Sequence, residues 1–252
     1  MLEFQKVSVS CGRTPLLDSV SVSFQKGSIT ALVGPNGCGK TTLLQCLNGM
    51  STVTAGEIFL EGQNYLELPL RERAKKVSFL PQVRTVIPSI PARMLVEHGR
   101  FPYLGFSRKK TQEDIRIVEN AMKFTHTLPY ADQPTDTLSG GIRQRVFFAM
   151  TLAQDCDYIV LDEPVTYLDP DGQREFLLMV RELKSQGKTI VLTLHDLSQA
   201  LQTADQLAIM DNRRILIQAS PEECLKSHIL EEVFHVSCKT FTDKEGRYYF
   251  FY

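Results

Sequence analysis

An apolar run at 28–33, carried by Ile29, Ala31, Leu32 and Val33, passes directly into Gly34-Pro35-Asn36-Gly37-Cys38-Gly39-Lys40-Thr41-Thr42. A helical stretch follows at 41–47. The pattern is G-x-x-x-x-G-K-[ST], and it limits the chain to few architectures. A run apolar on both faces is a strand covered on both sides. The glycines let the backbone bend so that successive N–H groups point inward at phosphate oxygens, and the next helix adds the partial positive charge of its N-terminus. Lys40 reaches terminal phosphates, and the Thr41 hydroxyl is a ligand for Mg²⁺. The residues therefore predict a nucleotide-binding α/β core. A phosphate loop by itself does not say what the nucleotide is used for.

The rest of the chain supports that core. Residues 2–9 and 20–24 alternate apolar and polar, as half-buried antiparallel strands do, and 56–60 and 77–80 read as further strands. From about 84 to 154 the pattern turns helical: Ile115, Val118 and Met122 share one face, as do Val146, Met150 and Ala153. Apolar strands return at 158–161 and 189–194, separated by a helix carrying Phe176, Val180 and Leu183. Strands alternating with helices imply a mostly parallel sheet. The expected organisation is one α/β domain over 1–252. Its nucleotide-binding core comprises 1–83 and 155–252, with an antiparallel β subdomain, and a helical subdomain is inserted at 84–154.

Composition narrows the class. Hydrophobic residues make up 43% of the 252, enough for a sizeable core, and charged residues 23%, too ordinary for wholesale disorder. Twenty-eight basic residues against 29 acidic ones leave a formal charge of −1, which argues against a broad nucleic-acid-binding face. No apolar run reaches the roughly 18–20 residues that span a bilayer, and the first residues carry no secretion signal. The six cysteines (11, 38, 46, 156, 224 and 238) include no C-x-x-C pair, so they read as reduced thiols of a soluble intracellular chain. Cys38, beside Lys40 at a helix N-terminus, is expected to lean toward thiolate and to be shielded by ATP; the alternative is a buried spacer.

The apolar strand 158–161 ends in Asp162-Glu163-Pro164. Acidic residues at the tip of a buried parallel strand lie where open α/β sheets bind ligands. Asp162 is a candidate for holding Mg²⁺, and Glu163 for orienting or deprotonating an attacking water; capping of the next helix is the alternative. Leu138-Ser139-Gly140-Gly141 opens the helix of Val146 and Ala153, so its N–H groups and Ser139 can face an anion. With the loop at 34–42, Asp162-Glu163 and His195 after the strand at 189–194, this ordered set resembles an ABC-type ATPase over essentially the whole chain.

The resemblance implies roles for single residues. Gln82 corresponds to the glutamine that senses Mg²⁺ and water and relays to a membrane partner. Asp169, after Leu168, belongs to the loop that crosses a dimer interface, and His195 is the switch histidine at the γ-phosphate. It also implies two cassettes sandwiching two ATP molecules. Each phosphate loop is completed by the 139–141 segment of the other chain, so a homodimer, or a heterodimer with a similar chain, is required. The segment Gly99-Arg100-Phe101-Pro102-Tyr103-Leu104-Gly105-Phe106 is similar to that of importer ATPases for iron chelates (siderophores), haem and cobalamin. It is suited to receive a coupling helix from a permease, or it is local core. The implied protein is a peripheral ATPase on the cytoplasmic membrane face, held by separate permease subunits and served indirectly by an external substrate-binding protein. The alternative is a soluble ABC ATPase acting as an assembly scaffold, for example for iron–sulfur clusters. Nucleic-acid work usually needs a coiled-coil insertion or second cassette, and neither is present.

Three positions depart from the family pattern. Cys11 stands where relatives usually place an aromatic on adenine, Ile142 where a glutamine follows the signature glycines, and Pro164-Val165-Thr166 where Pro-Thr-Ser is usual. Toward the C-terminus, Ile229, Val233 and Phe234 suggest a short amphipathic helix, and 247–252 a strand.

Overall fold

The computed structural model describes residues 1–82, 88–105, 109–242 and 247–252. They form two compact units, Met1–Leu68 with Thr189–Tyr252, and Pro69–Lys188. Residue 83, the expected first boundary of the core, lies outside the described residues, as does Phe106.

The first unit opens with β1 (Leu2–Cys11), β2 (Thr14–Phe24), β3 (Ile29–Val33), α1 (Lys40–Asn48), β4 (Ala55–Leu60) and β5 (Gln63–Asn64). The second holds α2 (Leu70–Ala74), β6 (Val77–Leu80), α3 (Ala92–Glu97), α4 (Gln112–Phe124), α5 (Gly140–Ala153), β7 (Tyr158–Leu161) and α6 (Pro170–Ser185). The chain then returns to the first unit with β8 (Thr189–Thr193), α7 (Leu197–Thr203), β9 (Gln206–Asp211), β10 (Arg214–Ala219), α8 (Pro221–Lys226), α9 (Ile229–Phe234), β11 (Cys238–Thr242) and β12 (Arg247–Phe251).

In the first unit, an antiparallel sheet runs β2-β1-β4-β5. Leu2, Phe4, Val7 and Val9 are its buried row on β1. The alternation skips a residue after Phe4 because the strand bulges there, with Lys6 at a positive φ of 51°. Phe4 meets Phe24 of β2 edge to face, ring centroids 6.0 Å apart. The second sheet of this unit has β3 parallel to both β8 and β9, with β10 antiparallel at its edge. Every residue of β3 and of β8 is buried, as their largely apolar runs require. β11 pairs with β12 in a hairpin on the α7 side, where the Ser198 hydroxyl donates to the Tyr249 carbonyl. Only β12 was expected; Cys238-Lys239-Thr240-Phe241-Thr242 has no buried residue, so no apolar period marked it.

In the second unit, β6 and β7 pair in parallel. Helices α3, α4 and α5 share an apolar core around Val96, Val118, Met122, Val146 and Ala149. Phe148 of α5 packs against Phe176 of α6 at 4.4 Å. Gly99 is required where the chain crosses α5: a methyl there would lie 2.3 Å from the Met150 carbonyl oxygen.

One expectation for α4 is corrected. Ile115 is 42% exposed, while Asp114 is the inward residue of the first turn. The reason is an ion pair that periodicity cannot show. Arg100 and Asp114, 5% and 6% exposed, approach to 2.9 Å, and the Arg100 guanidinium also donates to the Ala153 carbonyl and lies over the Tyr103 ring. Asp114 in turn forms a capping box with Thr111. Burial pushes the Asp114 pKa up, and the hydrogen bonds from Thr111 and Arg100 more than offset this, holding it below its ordinary value. Tyr103 is half-buried, whereas Phe101 is 58% exposed and stacked on His98, so Phe101 is not local core.

Candidate functional site

The loop from Gly34 to Lys40 joins β3 to α1 inside the first unit. Its glycines answer to different demands. A methyl on Gly34 would lie 2.1 Å from the Met210 carbonyl oxygen of β9, so only glycine lets the chain leave the sheet there. Gly37 and Gly39 have φ of 78° and 109°, the left-handed region that glycine occupies without strain. Cys38 N–H donates to the Pro35 carbonyl, closing the turn. Gly39 is the N-cap of α1, which has neither a side-chain cap nor an acidic residue in its first turn. That helix end is therefore suited to an anion.

Lys40 is 7% exposed, and its Nζ donates to the carbonyls of Gly34 at 2.7 Å and Pro35 at 3.0 Å. The loop thus folds around its own cation. Thr41 and Thr42 follow on α1, partly exposed. In the same unit, His195 is exposed just after β8, and the neighbouring Asp196 caps α7 by accepting from Ser198 and Gln199 N–H. Cys11 is exposed at the tip of the β1–β2 hairpin, opposite Thr14.

The structure corrects the expectation for Cys38. Burial pushes its thiol above the ordinary value, and the nearby Lys40 charge does not reverse this. Cys38 is 5% exposed, whereas Cys11 is open to solvent. Maleimide labelling at neutral pH, mapped by peptide mass, should therefore modify Cys11 first and Cys38 slowly, with or without MgATP. Rapid labelling of Cys38 that MgATP suppresses would contradict this.

In the second unit, β6 and β7 bring Gln82 and Glu163 together: the Gln82 amide donates to Glu163 Oε2. Asp162, the residue before, is 1% exposed, and its N–H donates to the Leu80 carbonyl. Glu163 has a φ of 49°, a strained conformation for a non-glycine residue. Its turn is pinned from three sides. The buried Gln144 amide of α5 donates to the Pro164 carbonyl at 2.9 Å, Gln173 of α6 donates to the Leu168 carbonyl at 3.1 Å, and Thr166 Oγ1 lies 3.2 Å from the Glu163 carbonyl. Neither motif nor periodicity marks Gln144 and Gln173 for this role: Gln144 stands 20 residues before Pro164 and meets it only in the folded chain.

Ser139 is the N-cap of α5 and accepts from Ile142 N–H; Ser139 and Gly140 are exposed. A methyl on Gly141 would lie 3.5 Å from Leu168 Cδ2, so the signature turn packs on the loop leading to Asp169. Asp169 Oδ1 accepts from Gly172 N–H at 2.8 Å, capping α6. Helix capping, the alternative reading for the carboxylates that follow β7, is thus performed by Asp169 and not by Asp162 or Glu163.

Residues 17–166 match the family model of the ABC transporter. The chain belongs to the ABC transporter family. It is an ATP-binding, ATP-hydrolysing cassette, and its α/β fold with parallel strands, an antiparallel sheet and a helical cluster is that of such cassettes. It is 37% identical over 243 residues to the petrobactin import ATP-binding protein FpuD of Bacillus anthracis, covering 96% of this chain and 89% of that one. It is 36% identical over 228 residues to the hemin import ATP-binding protein HmuV of Rhodococcus jostii (strain RHA1), covering 90% and 77%. Among solved structures it is similar to an inward-facing transporter described as of metal-chelate type, with a TM-score of 0.85, 25% identity, and coverage of 100% and 96%.

Proposed function

We propose that this ABC cassette drives import of a metal chelate (an iron–siderophore, haem or cobalamin) through separate permease subunits at the cytoplasmic face of the membrane. An external substrate-binding protein would deliver the cargo. The observation that carries the reading is likeness along nearly the whole chain to proteins named for petrobactin and hemin import. Among the described residues no helix is long and apolar enough to cross a membrane, and the proposal gives that crossing to the permease. The exposed Phe101, on a segment tied down when Arg71 donates to the Pro102 carbonyl, supports a place there for a permease coupling helix.

In the proposed reaction, backbone N–H groups of the loop at Gly34, Gly37 and Gly39, Lys40 and the N-terminus of α1 bind the triphosphate, with Pro35, Asn36 and Cys38 shaping the loop. Electrostatic grip of this kind is most of what phosphoryl transfer asks of a protein. Glu163 accepts a proton from water as its oxygen bonds to the γ-phosphorus and the bond to the β-bridging oxygen breaks, giving ADP and phosphate. Gln82 orients that water, and His195 holds the γ-phosphate. The donors proposed for Mg²⁺ (the Thr41 hydroxyl, the buried Asp162 carboxylate and the Gln82 carboxamide) are all oxygen ligands, which suits a hard cation. Mg²⁺ bound there would supply positive charge at the phosphate oxygens. Ser139, Gly140, Gly141 and Asp169 would serve the nucleotide of a second copy in a homodimeric sandwich. Cys11 would lie at the adenine and, lacking a ring, hold the base weakly.

The chain, tagged in its native cell and recovered from gently solubilised membranes, should bring down a polytopic permease. Recovery of soluble partners only, with the chain absent from the membrane fraction, would overturn the importer reading and leave the ATPase intact.

A further inference from the structure

Thr166 touches the Glu163 carboxylate from within the same turn. Its Oγ1 lies 3.3 Å from Glu163 Oε2, the oxygen to which the Gln82 amide also donates, and 3.2 Å from the Glu163 carbonyl. The backbone of the turn is held by other side chains besides this hydroxyl. Gln144 holds it from α5 through Pro164, and Gln173 holds it from α6 through Leu168. Thr166 is itself exposed, so its removal opens no cavity. What the hydroxyl adds to that scaffold is direction at the end of a flexible glutamate side chain. Threonine suits the task, because its branched Cβ restricts χ1 and so narrows the positions its oxygen can take.

We propose that Thr166 is a positioning residue for Glu163. It keeps Oε2 aimed whether or not Gln82 remains on that oxygen. The inference rests on the reading of Glu163 as the proton acceptor. It assigns Thr166 no contact with ATP, and therefore an effect on the chemical step without an effect on binding.

The test is steady-state MgATP hydrolysis by the full chain, with Thr166→Val, Thr166→Ser and Glu163→Gln compared. Thr166→Val keeps the shape and loses the donor. Misdirection of a reacting group should lower kcat about 10-fold while KM for ATP stays within about twofold. Thr166→Ser, which restores the donor, should recover most of the rate. An unchanged kcat in folded Thr166→Val, alongside an inactive Glu163→Gln, would overturn the positioning role and leave Glu163 in place. A rise in KM or an earlier melt accompanying the lost rate, without recovery in Thr166→Ser, would overturn it in favour of a general structural role. Normal turnover by Glu163→Gln would instead remove the reading on which the proposal stands.

Discussion

Glu163→Gln should cut ATP turnover by about 100- to 10,000-fold, the range that loss of a general base produces. ATP binding should survive, and an ATP-dependent dimer should accumulate. The substitution keeps the side chain's length and its acceptor oxygen, so the contacts from Gln82 and Thr166 to Oε2 have a counterpart in the variant. What it removes is the proton-accepting carboxylate. Bound nucleotide then persists, and so does the assembly it holds together. Phosphate release gives the first half of the result, and sedimentation with and without MgATP gives the second. A variant that turns over normally would show that Glu163 does not accept the proton.

Asp114→Ala should destabilise the second unit by about 3–5 kcal/mol, because it leaves a buried cation without its partner. Arg100, 5% exposed, would keep its bonds to the Ala153 carbonyl and the Tyr103 face and lose the only carboxylate paired with it among the described residues. The capping box with Thr111 would be lost in the same step. Denaturant midpoints of the full chain measure the effect. Replacing the pair by Arg100→Met with Asp114→Leu should recover much of the loss, since a well-packed apolar pair can match a buried ion pair. The same bond predicts a pH dependence. The Asp114 pKa is depressed in the folded chain, so its contribution is complete above the unfolded value of about 4 and fades as the pH falls below it. Asp114→Asn should flatten that acid limb.

Much of this protein was legible before folding. The loop at 34–41 was readable because its function is performed by backbone, and only glycine permits that backbone; the positive φ of Gly37 and Gly39 is the structural counterpart. β3 and β8 were readable because a strand covered on both faces must be largely apolar, and both are buried along their length. The order of 34–42, 138–141, 162–163 and 195 named the family because each motif is local, and several local motifs rarely occur in one order by accident.

Other features depend on side chains that meet across the fold. Periodicity put Ile115 inward on α4, but the inward place went to Asp114, because Arg100 waits there from a different element. Proximity along the chain suggested a reactive Cys38, yet burial outweighs the neighbouring lysine. The clamp on the Glu163 turn draws on α5, on α6 and on Gln82, two residues beyond β6, so no window of sequence contains it. Local chemistry and backbone permission are written in neighbouring residues. Desolvation and the pairing of distant polar groups exist only once the chain has folded, and here they decide which titratable side chains are buried, paired and aimed.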